Sequence, residues 1–264
     1  MTRMLRSMIV SLNSSALRHH FSMLRHLMLG LRSSVFYLGY ALATVILSTN
    51  FILLFPLLDS SARHRVASVW CRSILRWLEI TCGVNCTIEG TEHLNRFPSV
   101  YLANHQSSFE AILLYQLIHP VSPILKRELL QIPFWGWALR LLKPIAIDRS
   151  KPREAARSLM TQGEAMLKKG NSVIIFPEGS RSEAGEVGSF SRGGCALAAA
   201  ANVSIVPIVH NAGYTWPSHR FIKFPGTVSV KIGNPIFASS KSIKTLTAEV
   251  EEWARNNFQM RDKN

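Results

Sequence analysis

The chain has 264 residues, which suits one ordinary domain with a small addition and excludes a large multidomain assembly. Hydrophobic residues make up 47% of the sequence and charged residues only 17%, below the roughly 25% of an average soluble protein, which argues against long disordered regions and coiled coils. Lys and Arg outnumber Asp and Glu by 30 to 16. The resulting formal charge of +14 suits an anionic membrane surface, a nucleic acid or an anionic small substrate.

The first 58 residues contain no acidic side chain and open with a basic amphipathic stretch. Its arginines are Arg3, Arg6, Arg18, Arg25 and Arg32. From Ser33 to Leu58 there is no charged residue, and a helix over Val35–Phe55 would be about 31 Å long, close to the thickness of a hydrocarbon core. We therefore expect a membrane-embedded segment. Asn50 and Pro56 leave open whether it crosses the bilayer or forms a kinked, half-inserted helix, and arginines at both ends give no orientation.

The next segment, Ser60–Thr81, carries apolar side chains near helical spacing, with arginines on its other faces. We expect a helix that either packs on the core or lies at a lipid interface, because tryptophan and arginine suit both places. The four cysteines show no zinc-ligand spacing, so we expect reduced, mostly buried thiols in a protein that faces the cytosol. A Cys82–Cys86 disulfide remains an open alternative.

Beyond Cys82, short apolar runs alternate with amphipathic stretches. We expect strands at Val84–Ile88, Val100–Ala103, Ile124–Leu125, Ile145–Ile147, Val173–Phe176, Ile205–Val209 and Val228–Ile232. We expect helices at Glu110–Ile118, Phe134–Leu142, Arg153–Lys169, Gly194–Ala201 and Ser242–Phe258. Strands separated by helices predict an α/β fold with a mixed, largely parallel sheet flanked by helices.

The first polar cluster follows the strand that ends at Ala103, where an open α/β sheet places its reactive groups. On one continuous helix His105 and Glu110 would lie about 140° apart. If the helix starts at Ser107 or one residue later, the Glu110 carboxylate can fold back onto the His105 ring and orient it as a general base. The alternative is a capping box, in which Glu110 binds backbone amides and His105 is an ordinary loop residue.

Two further clusters follow other strands. Lys126 and Arg149 can converge on a phosphate or remain solvated surface charges. In the segment Phe176–Ser182, Gly179 permits a tight backbone path and Arg181 offers a fork of donors suited to phosphate, although an ordinary polar turn has the same composition. The basic charge and the apolar N-terminal segment favour an anionic substrate carried by a membrane.

Several enzyme classes lack their signatures in this sequence. There is no Gly-rich nucleotide loop and no H-E-x-x-H motif, so we expect neither a kinase nor a zinc protease. There is also no G-x-S-x-G elbow of the kind that carries a serine nucleophile in α/β hydrolases. The clusters therefore indicate a base without a covalent nucleophile.

Four motifs occur in order along the chain. They are Asn104-His105 through Glu110, Lys126 through Arg149, Phe176-Pro177-Glu178-Gly179-Ser180-Arg181-Ser182, and Ile205-Val206-Pro207-Ile208. Together they resemble the four blocks of the 1-acyl-sn-glycerol-3-phosphate acyltransferase family, particularly its bacterial members, over residues 82 to 237. The chain departs from the family pattern at Glu110, where Asp is usual, at Lys143, where many members have Gly, and at Ser180, where Thr is commoner.

The resemblance implies a glycerophosphate acyltransferase-like fold, with residues 83–264 as the catalytic domain and residues 1–82 as basic, membrane-anchoring helices. It implies transfer of a fatty acyl group from acyl-CoA or acyl carrier protein to the sn-2 hydroxyl of lysophosphatidate, giving phosphatidate for phospholipid synthesis. It also implies a membrane location, in a bacterial inner membrane, with the catalytic domain facing the cytoplasm. The acyl donor is a substrate, and neither a metal nor another cofactor is implied.

The resemblance also assigns roles to residues. His105 takes the hydroxyl proton and Glu110 stabilises the imidazolium, without an acyl-enzyme. The phosphoglycerol site is formed by Arg149, Glu178, Gly179 and Arg181. Lys126 is a further candidate for substrate binding, and Pro207 is expected to help form the wall on the acyl side.

Three alternatives remain at this stage. The nearest is the same chemistry on another lysolipid, such as a lyso-ornithine lipid or a lysophospholipid, which the motifs do not discriminate. A second is a non-catalytic protein that binds anionic lipid and uses His105 only structurally. A nucleic-acid binder would also use the positive charge, but the sequence contains no nucleic-acid-binding motif, so we expect no nucleic-acid partner.

Overall fold

The computed structural model describes residues 2–94, 97–148, 150–238 and 241–260, with the side chains of residues 2–20 left out. The helices in these residues are α1 (Thr2–Leu54), α2 (Ser60–Cys82), α3 (Phe109–Leu117), α4 (Trp135–Leu141), α5 (Pro152–Lys168), α6 (Gly193–Ala201) and α7 (Ile243–Asn257). The strands are β1 (Val84–Glu89), β2 (Ser99–Ala103), β3 (Val121–Lys126), β4 (Ile145–Ile147), β5 (Ser172–Ile175), β6 (Ser204–His210), β7 (Gly226–Ile232) and β8 (Ile236–Phe237).

These strands form one mixed sheet in the order β1-β7-β6-β2-β5-β3-β4, with β8 paired to the first residues of β6. The pairs β1/β7, β2/β5, β2/β6, β3/β4 and β3/β5 are parallel. The pairs β6/β7 and β6/β8 are antiparallel. The largely parallel α/β fold predicted from the sequence is therefore confirmed.

Helices cover both faces of the sheet, and the central strands are buried on both sides for this reason. In β2, Tyr101 points into one core, which it shares with α2 and α3. Its neighbours Val100 and Leu102 point into the opposite core, beneath α5, α6 and α7. This alternation follows from the two-residue period of a strand, which sends successive side chains to opposite faces of the sheet.

The predicted strands, and the predicted helices after residue 58, match the observed ones to within two residues, except at the start of one strand and for one strand that was not predicted. Helix α1 begins at Thr2, 33 residues before the predicted helix Val35–Phe55, because the basic stretch belongs to the same helix. Strand β3 begins at Val121, three residues before its predicted start at Ile124, because Val121–Pro123 pair with β5. The two-residue strand β8 was not predicted, since an isolated Ile-Phe pair carries no strand pattern.

Helix α1 contains the predicted membrane-embedded segment. Residues Phe21–Leu57 are long and apolar enough to cross a membrane. One stripe of α1, marked by Leu29, Phe36 and Phe51, is buried against the rest of the chain, whereas leucines on the opposite side are mostly exposed. Those exposed leucines include Leu27, Leu31, Leu38 and Leu53. The side chains of Arg3, Arg6 and Arg18 lie outside the described part of the chain.

Helix α2 packs on the core, which is one of the two placements predicted for it. It begins after Asp59, whose carboxylate accepts a hydrogen bond from the Ala62 amide, and ends at Gly83 in the left-handed conformation. Its buried side chains are His64, Cys71, Ile74, Leu78 and Cys82. All four cysteines are free thiols, so the Cys82–Cys86 disulfide is not formed.

The N-terminal helices share a core with the sheet. Phe36 of α1 and Ile74 of α2 belong to the same buried cluster as Tyr101 and Val206 of the central strands. The division into residues 1–82 and 83–264 stays a prediction about roles, while the packing joins the two segments.

Candidate functional site

The site lies where three neighbouring strands end. Because β2 runs parallel to both β5 and β6, the carboxyl ends of all three strands meet at one edge of the sheet. The segment after β2 begins with Asn104 and His105, the segment after β5 is Phe176–Ser182, and β6 ends at His210. Residues far apart in the sequence are therefore brought together.

His105 and Glu110 form a hydrogen-bonded pair. Helix α3 begins at Phe109, after its N-cap Ser108, so His105 lies outside the helix and Glu110 lies in the first turn. The His105 Nδ1 to Glu110 Oε1 distance is 2.8 Å. A carboxylate can only accept, so Nδ1 carries the hydrogen, and in the neutral ring Nε2 has the lone pair. No described residue forms a hydrogen bond with Nε2, and this nitrogen is the available base.

Glu110 also binds backbone amides, as the alternative interpretation expected. Its Oε1 accepts hydrogen bonds from the amides of Gln106 at 3.1 Å and Ser107 at 2.8 Å. In a full capping box the Ser107 hydroxyl would accept a hydrogen bond from the Glu110 amide. Here it accepts instead from the Phe109 amide, at 3.1 Å. One oxygen of a carboxylate that is 1% exposed thus fixes both the turn and the imidazole.

The segment after β5 encloses His105. Glu178 Oε1 accepts the His105 amide hydrogen at 2.8 Å, and the Ser182 amide donates to the His105 carbonyl at 2.8 Å. The Phe176 ring stacks on the imidazole with centroids 4.3 Å apart. Burial raises the pKa of Glu178, and the hydrogen bonds that it accepts offset only part of this rise. The third sequence motif therefore holds His105 in place on three sides.

His210, at the end of β6, completes a buried polar network that the sequence did not predict. The Asn104 side chain donates to the His210 carbonyl and accepts from the His210 amide, both at 2.9 Å. His210 Nε2 lies 2.8 Å from the Asn104 carbonyl and 4.0 Å from Glu110 Oε2. His210 Nδ1 accepts from the Ala212 amide at 3.3 Å, so the neutral tautomer satisfies both ring nitrogens.

The electrostatics of the network keep Glu110 ionised and His210 neutral. Burial raises the pKa of Glu110, but the adjoining His210 and His105 rings and the hydrogen bonds from His105 and Ser107 outweigh this rise, so the pKa lies below its ordinary value. Burial lowers the pKa of His210, and the nearby Glu110 carboxylate only partly opposes this. A buried anion that is ready to stabilise a positive charge on His105 is the result.

A cavity of about 670 Å³ reaches His105. Its volume falls within the range of roughly 300–1,000 Å³ for ligand pockets. Most of its walls are apolar and come from four helices, with Phe51 of α1, Trp70 of α2, Ile112 of α3 and Ala138 of α4 among them. Ser108, Ser180 and Arg181 contribute polar groups. The site therefore combines a base with an apolar cavity.

The predicted substrate-binding residues fall into three groups. Arg181 and Lys126 line this cavity; Arg181 Nη2 donates to Ser108 Oγ at 3.0 Å, and Lys126 Nζ lies 3.8 Å from a Glu128 carboxylate oxygen.

Three of the predicted residues, Glu178, Gly179 and Pro207, do not line the cavity. Glu178 accepts a hydrogen bond from the His105 amide instead. Gly179 adopts the left-handed conformation at φ 76°. Pro207 pairs with Leu102 inside the sheet. Arg149 lies outside the described residues.

Comparisons with known proteins show the family to which the chain belongs. The Acyltransferase family model matches residues 85–211, which contain all the motifs described above. The chain is 42% identical to a 1-acyl-sn-glycerol-3-phosphate acyltransferase of Pseudomonas aeruginosa over 227 residues, covering 84% of this chain and 88% of that protein. The chain belongs to the 1-acyl-sn-glycerol-3-phosphate acyltransferase family.

Two further family members extend the comparison. A chloroplastic 1-acyl-sn-glycerol-3-phosphate acyltransferase of Arabidopsis thaliana is 34% identical over 77% of this chain, which spans only 57% of the plant protein. The crystal structure of the 1-acyl-sn-glycerophosphate acyltransferase PlsC from Thermotoga maritima matches with a TM-score of 0.74 and 25% identity. That match covers 88% of this chain and 94% of the other.

One departure from the acyltransferase family pattern has a backbone explanation. Lys143 adopts φ 51°, in the left-handed region that glycine enters without a steric penalty. A glycine would therefore adopt the turn before β4 with less strain than Lys143 does.

Proposed function

We propose that this chain transfers a fatty acyl group from a thioester to the sn-2 hydroxyl of 1-acyl-sn-glycerol 3-phosphate, giving phosphatidate. The observation that carries the proposal is the pairing of His105 with Glu110 beside an apolar cavity. Membership of the 1-acyl-sn-glycerol-3-phosphate acyltransferase family supports the acceptor, since both bacterial relatives carry that activity in their names.

In the proposed reaction, His105 Nε2 removes the proton from the acceptor hydroxyl as its oxygen attacks the thioester carbonyl carbon. The buried Glu110 carboxylate, 2.8 Å from Nδ1, stabilises the imidazolium that forms. When the tetrahedral intermediate collapses, the carbon–sulfur bond breaks and the imidazolium returns its proton to the departing thiolate. The products are an ester and a free thiol, and the reaction as proposed uses the acyl donor as a substrate without a further cofactor.

The apolar cavity is proposed to hold the acyl chain of the donor. A chain carried by CoA or acyl carrier protein arrives from water, so it needs enclosed apolar space near the reacting carbonyl. Each methylene group buried there contributes about 0.8 kcal/mol to binding. The chain of the lysolipid acceptor can remain in the bilayer, beside the exposed leucines of α1.

The proposed location is the cytoplasmic face of a bacterial inner membrane. The apolar segment Phe21–Leu57 anchors the protein, and its buried stripe holds it against the catalytic part of the chain. The basic residues before this segment interact with anionic lipid. Four free thiols and a donor found in the cytoplasm are consistent with a reducing compartment.

The experiment supplies membranes that contain the protein with labelled palmitoyl-CoA or palmitoyl-acyl carrier protein and with 1-acyl-sn-glycerol 3-phosphate. Labelled phosphatidate should form, and phospholipase A2 should release the label, because that enzyme hydrolyses the sn-2 ester. Membranes without the protein are the control. Lack of phosphatidate with either donor would overturn the proposal, and product formed only from a lysophospholipid or a lyso-ornithine lipid would assign a different acceptor.

A further inference from the structure

A second cavity, of about 350 Å³, lies next to the first. Ser108, Arg181 and His219 line both cavities, so the two meet at these residues. The remaining wall is formed chiefly by the loop Pro217–Phe221, between β6 and β7, and by Tyr37 of α1. This loop lies outside the four sequence motifs, and the proposed proton transfer by His105 does not involve it.

The second cavity is positively charged. Arg181 and Arg220 both line it, together with the His219 imidazole. No Asp or Glu occurs among the described residues of its wall, and neither guanidinium forms an ion pair with a carboxylate in the part of the chain that the structure covers. Two guanidinium groups that share a concave wall without a compensating acid favour an anion with several oxygens.

The loop is held in one shape by a buried lysine. Lys223 is completely buried, and its Nζ donates to the carbonyls of Arg220 at 2.6 Å and Phe221 at 2.9 Å. Its amide donates to Ser33 Oγ of α1 at 2.9 Å, and the Phe221 ring stacks on Tyr37 with centroids 5.1 Å apart. The loop is thus attached to α1 by a hydrogen bond and an aromatic contact.

His219 shows that this fixed shape is unusual. Its φ of 58° lies in the left-handed region, which residues other than glycine rarely adopt. Such a conformation persists where surrounding contacts impose it, and it is commonest at ligand sites. The Lys223 ammonium holds the carbonyls of Arg220 and Phe221, directly after this residue, and both Arg220 and His219 line the cavity.

We propose that Arg220 and His219 form, with Arg181, the subsite that binds the phosphate of the lysolipid acceptor. This inference rests on the proposed function. In lysophosphatidate only two carbon atoms separate the reacting oxygen from the phosphate ester oxygen, so the phosphate must lie close to His105. The phosphates of CoA are separated from the thioester by the whole pantetheine arm, which places them farther away. A phosphomonoester also carries more charge than the phosphodiester of other lysophospholipids, and the subsite favours it.

The test compares the full-length wild type with Arg220→Gln, Arg220→Lys and a control, Arg157→Gln. Arg157 is exposed on α5 and lines neither cavity. Its replacement by Gln removes the same charge as Arg220→Gln does. In Arg220→Gln the KM for lysophosphatidate should rise about 10-fold or more, with kcat within about twofold. Arg220→Lys should recover part of the loss, and the KM for palmitoyl-CoA should not change.

An unchanged KM for lysophosphatidate in Arg220→Gln, relative to Arg157→Gln, would overturn the subsite. A rise confined to the KM for palmitoyl-CoA would also overturn it, because the anion would then be a phosphate of CoA. Binding of lysophosphatidate, measured by calorimetry in detergent, needs no turnover. Equal affinities of the wild type and Arg220→Gln for lysophosphatidate would exclude the subsite. If the wild type forms no phosphatidate but Arg220→Gln still binds lysophosphatidate more weakly, the proposed reaction is rejected and the subsite is supported.

Discussion

Replacing Glu110 by Gln tests the electrostatic part of the mechanism, since it keeps the shape of the side chain and removes its charge. In the proposed reaction the imidazolium of His105 forms 2.8 Å from Glu110 Oε1. At an effective dielectric constant of about 20, the attraction of two unit charges at this distance is about 6 kcal/mol. A neutral amide recovers about 1–3 kcal/mol of this through its own hydrogen bond. We therefore predict a loss of about 3–5 kcal/mol, or about 10²- to 10⁴-fold in kcat.

The assay follows thiol release from palmitoyl-CoA in the presence of lysophosphatidate, with the melting temperature measured in the same detergent to confirm folding. The KM for lysophosphatidate should change little, because Glu110 acts through His105. Glu110→Asp, which keeps the charge on an arm one methylene shorter, should lie between the wild type and Glu110→Gln. Glu154→Gln, on the exposed surface of α5, is the control. A folded Glu110→Gln protein with kcat within tenfold of the wild type would refute this reasoning.

Three further predictions concern packing, chain length and pH. A Cβ at Gly39 would clash with the Trp77 indole, whereas one at Gly30 in the same helix meets nothing within 4 Å. Gly39→Ala should therefore cost about 1–3 kcal/mol of stability, seen as a lower melting temperature, and Gly30→Ala should cost none. Ala138→Phe narrows the cavity and should shift the donor preference, measured with acyl-CoAs of graded length, towards shorter chains; an unchanged profile would place the acyl chain elsewhere. Because burial lowers the pKa of His210, the unfolded chain binds a proton below about pH 6.5 that the folded chain excludes, and stability falls as the pH falls. Between about pH 7.5 and 5.5 the melting temperature of His210→Gln should thus fall less than that of the wild type, and an equal fall would contradict this.

The pairing of His105 with Glu110 followed from local chemistry. Both residues belong to one short segment, and the only requirement was that the helix begin after His105. Ser108 supplies the N-cap and α3 begins at Phe109, so the carboxylate in the first turn reaches back to the ring. Strand periodicity and the position of polar residues after strands likewise predicted the sheet and the edge that carries the site.

The contribution of His210 depended on strand order, which sequence periodicity does not contain. His210 meets Asn104 only because β6 lies beside β2, although the two residues are 106 positions apart. Its position at the end of a buried apolar strand was the available signal, since a polar residue there needs a partner. The role of Glu178 was hidden for a similar reason, because its contact with the His105 backbone joins the ends of two strands.

The cavities could not be predicted, because they depend on how the helices pack against one another. The sequence predicts each helix separately but not this packing. The larger one is bounded by α1, α2, α3 and α4, and α1 belongs to it through a buried stripe that was predicted only as part of a membrane segment. The loop that carries Arg220 contains no periodic pattern. It is held by hydrogen bonds from Lys223 to Ser33 of α1 and to the Arg220 carbonyl.

The central claim is that the His105 imidazole is the base of an acyltransferase. The most direct measurement compares phosphatidate formation from labelled palmitoyl-CoA and lysophosphatidate by membranes that contain equal amounts of folded wild-type protein or of the His105→Ala variant. We predict product from the wild type and a rate lower by about 10²- to 10⁴-fold in the variant, the usual effect of removing a general base. A wild-type rate in His105→Ala would contradict the mechanism.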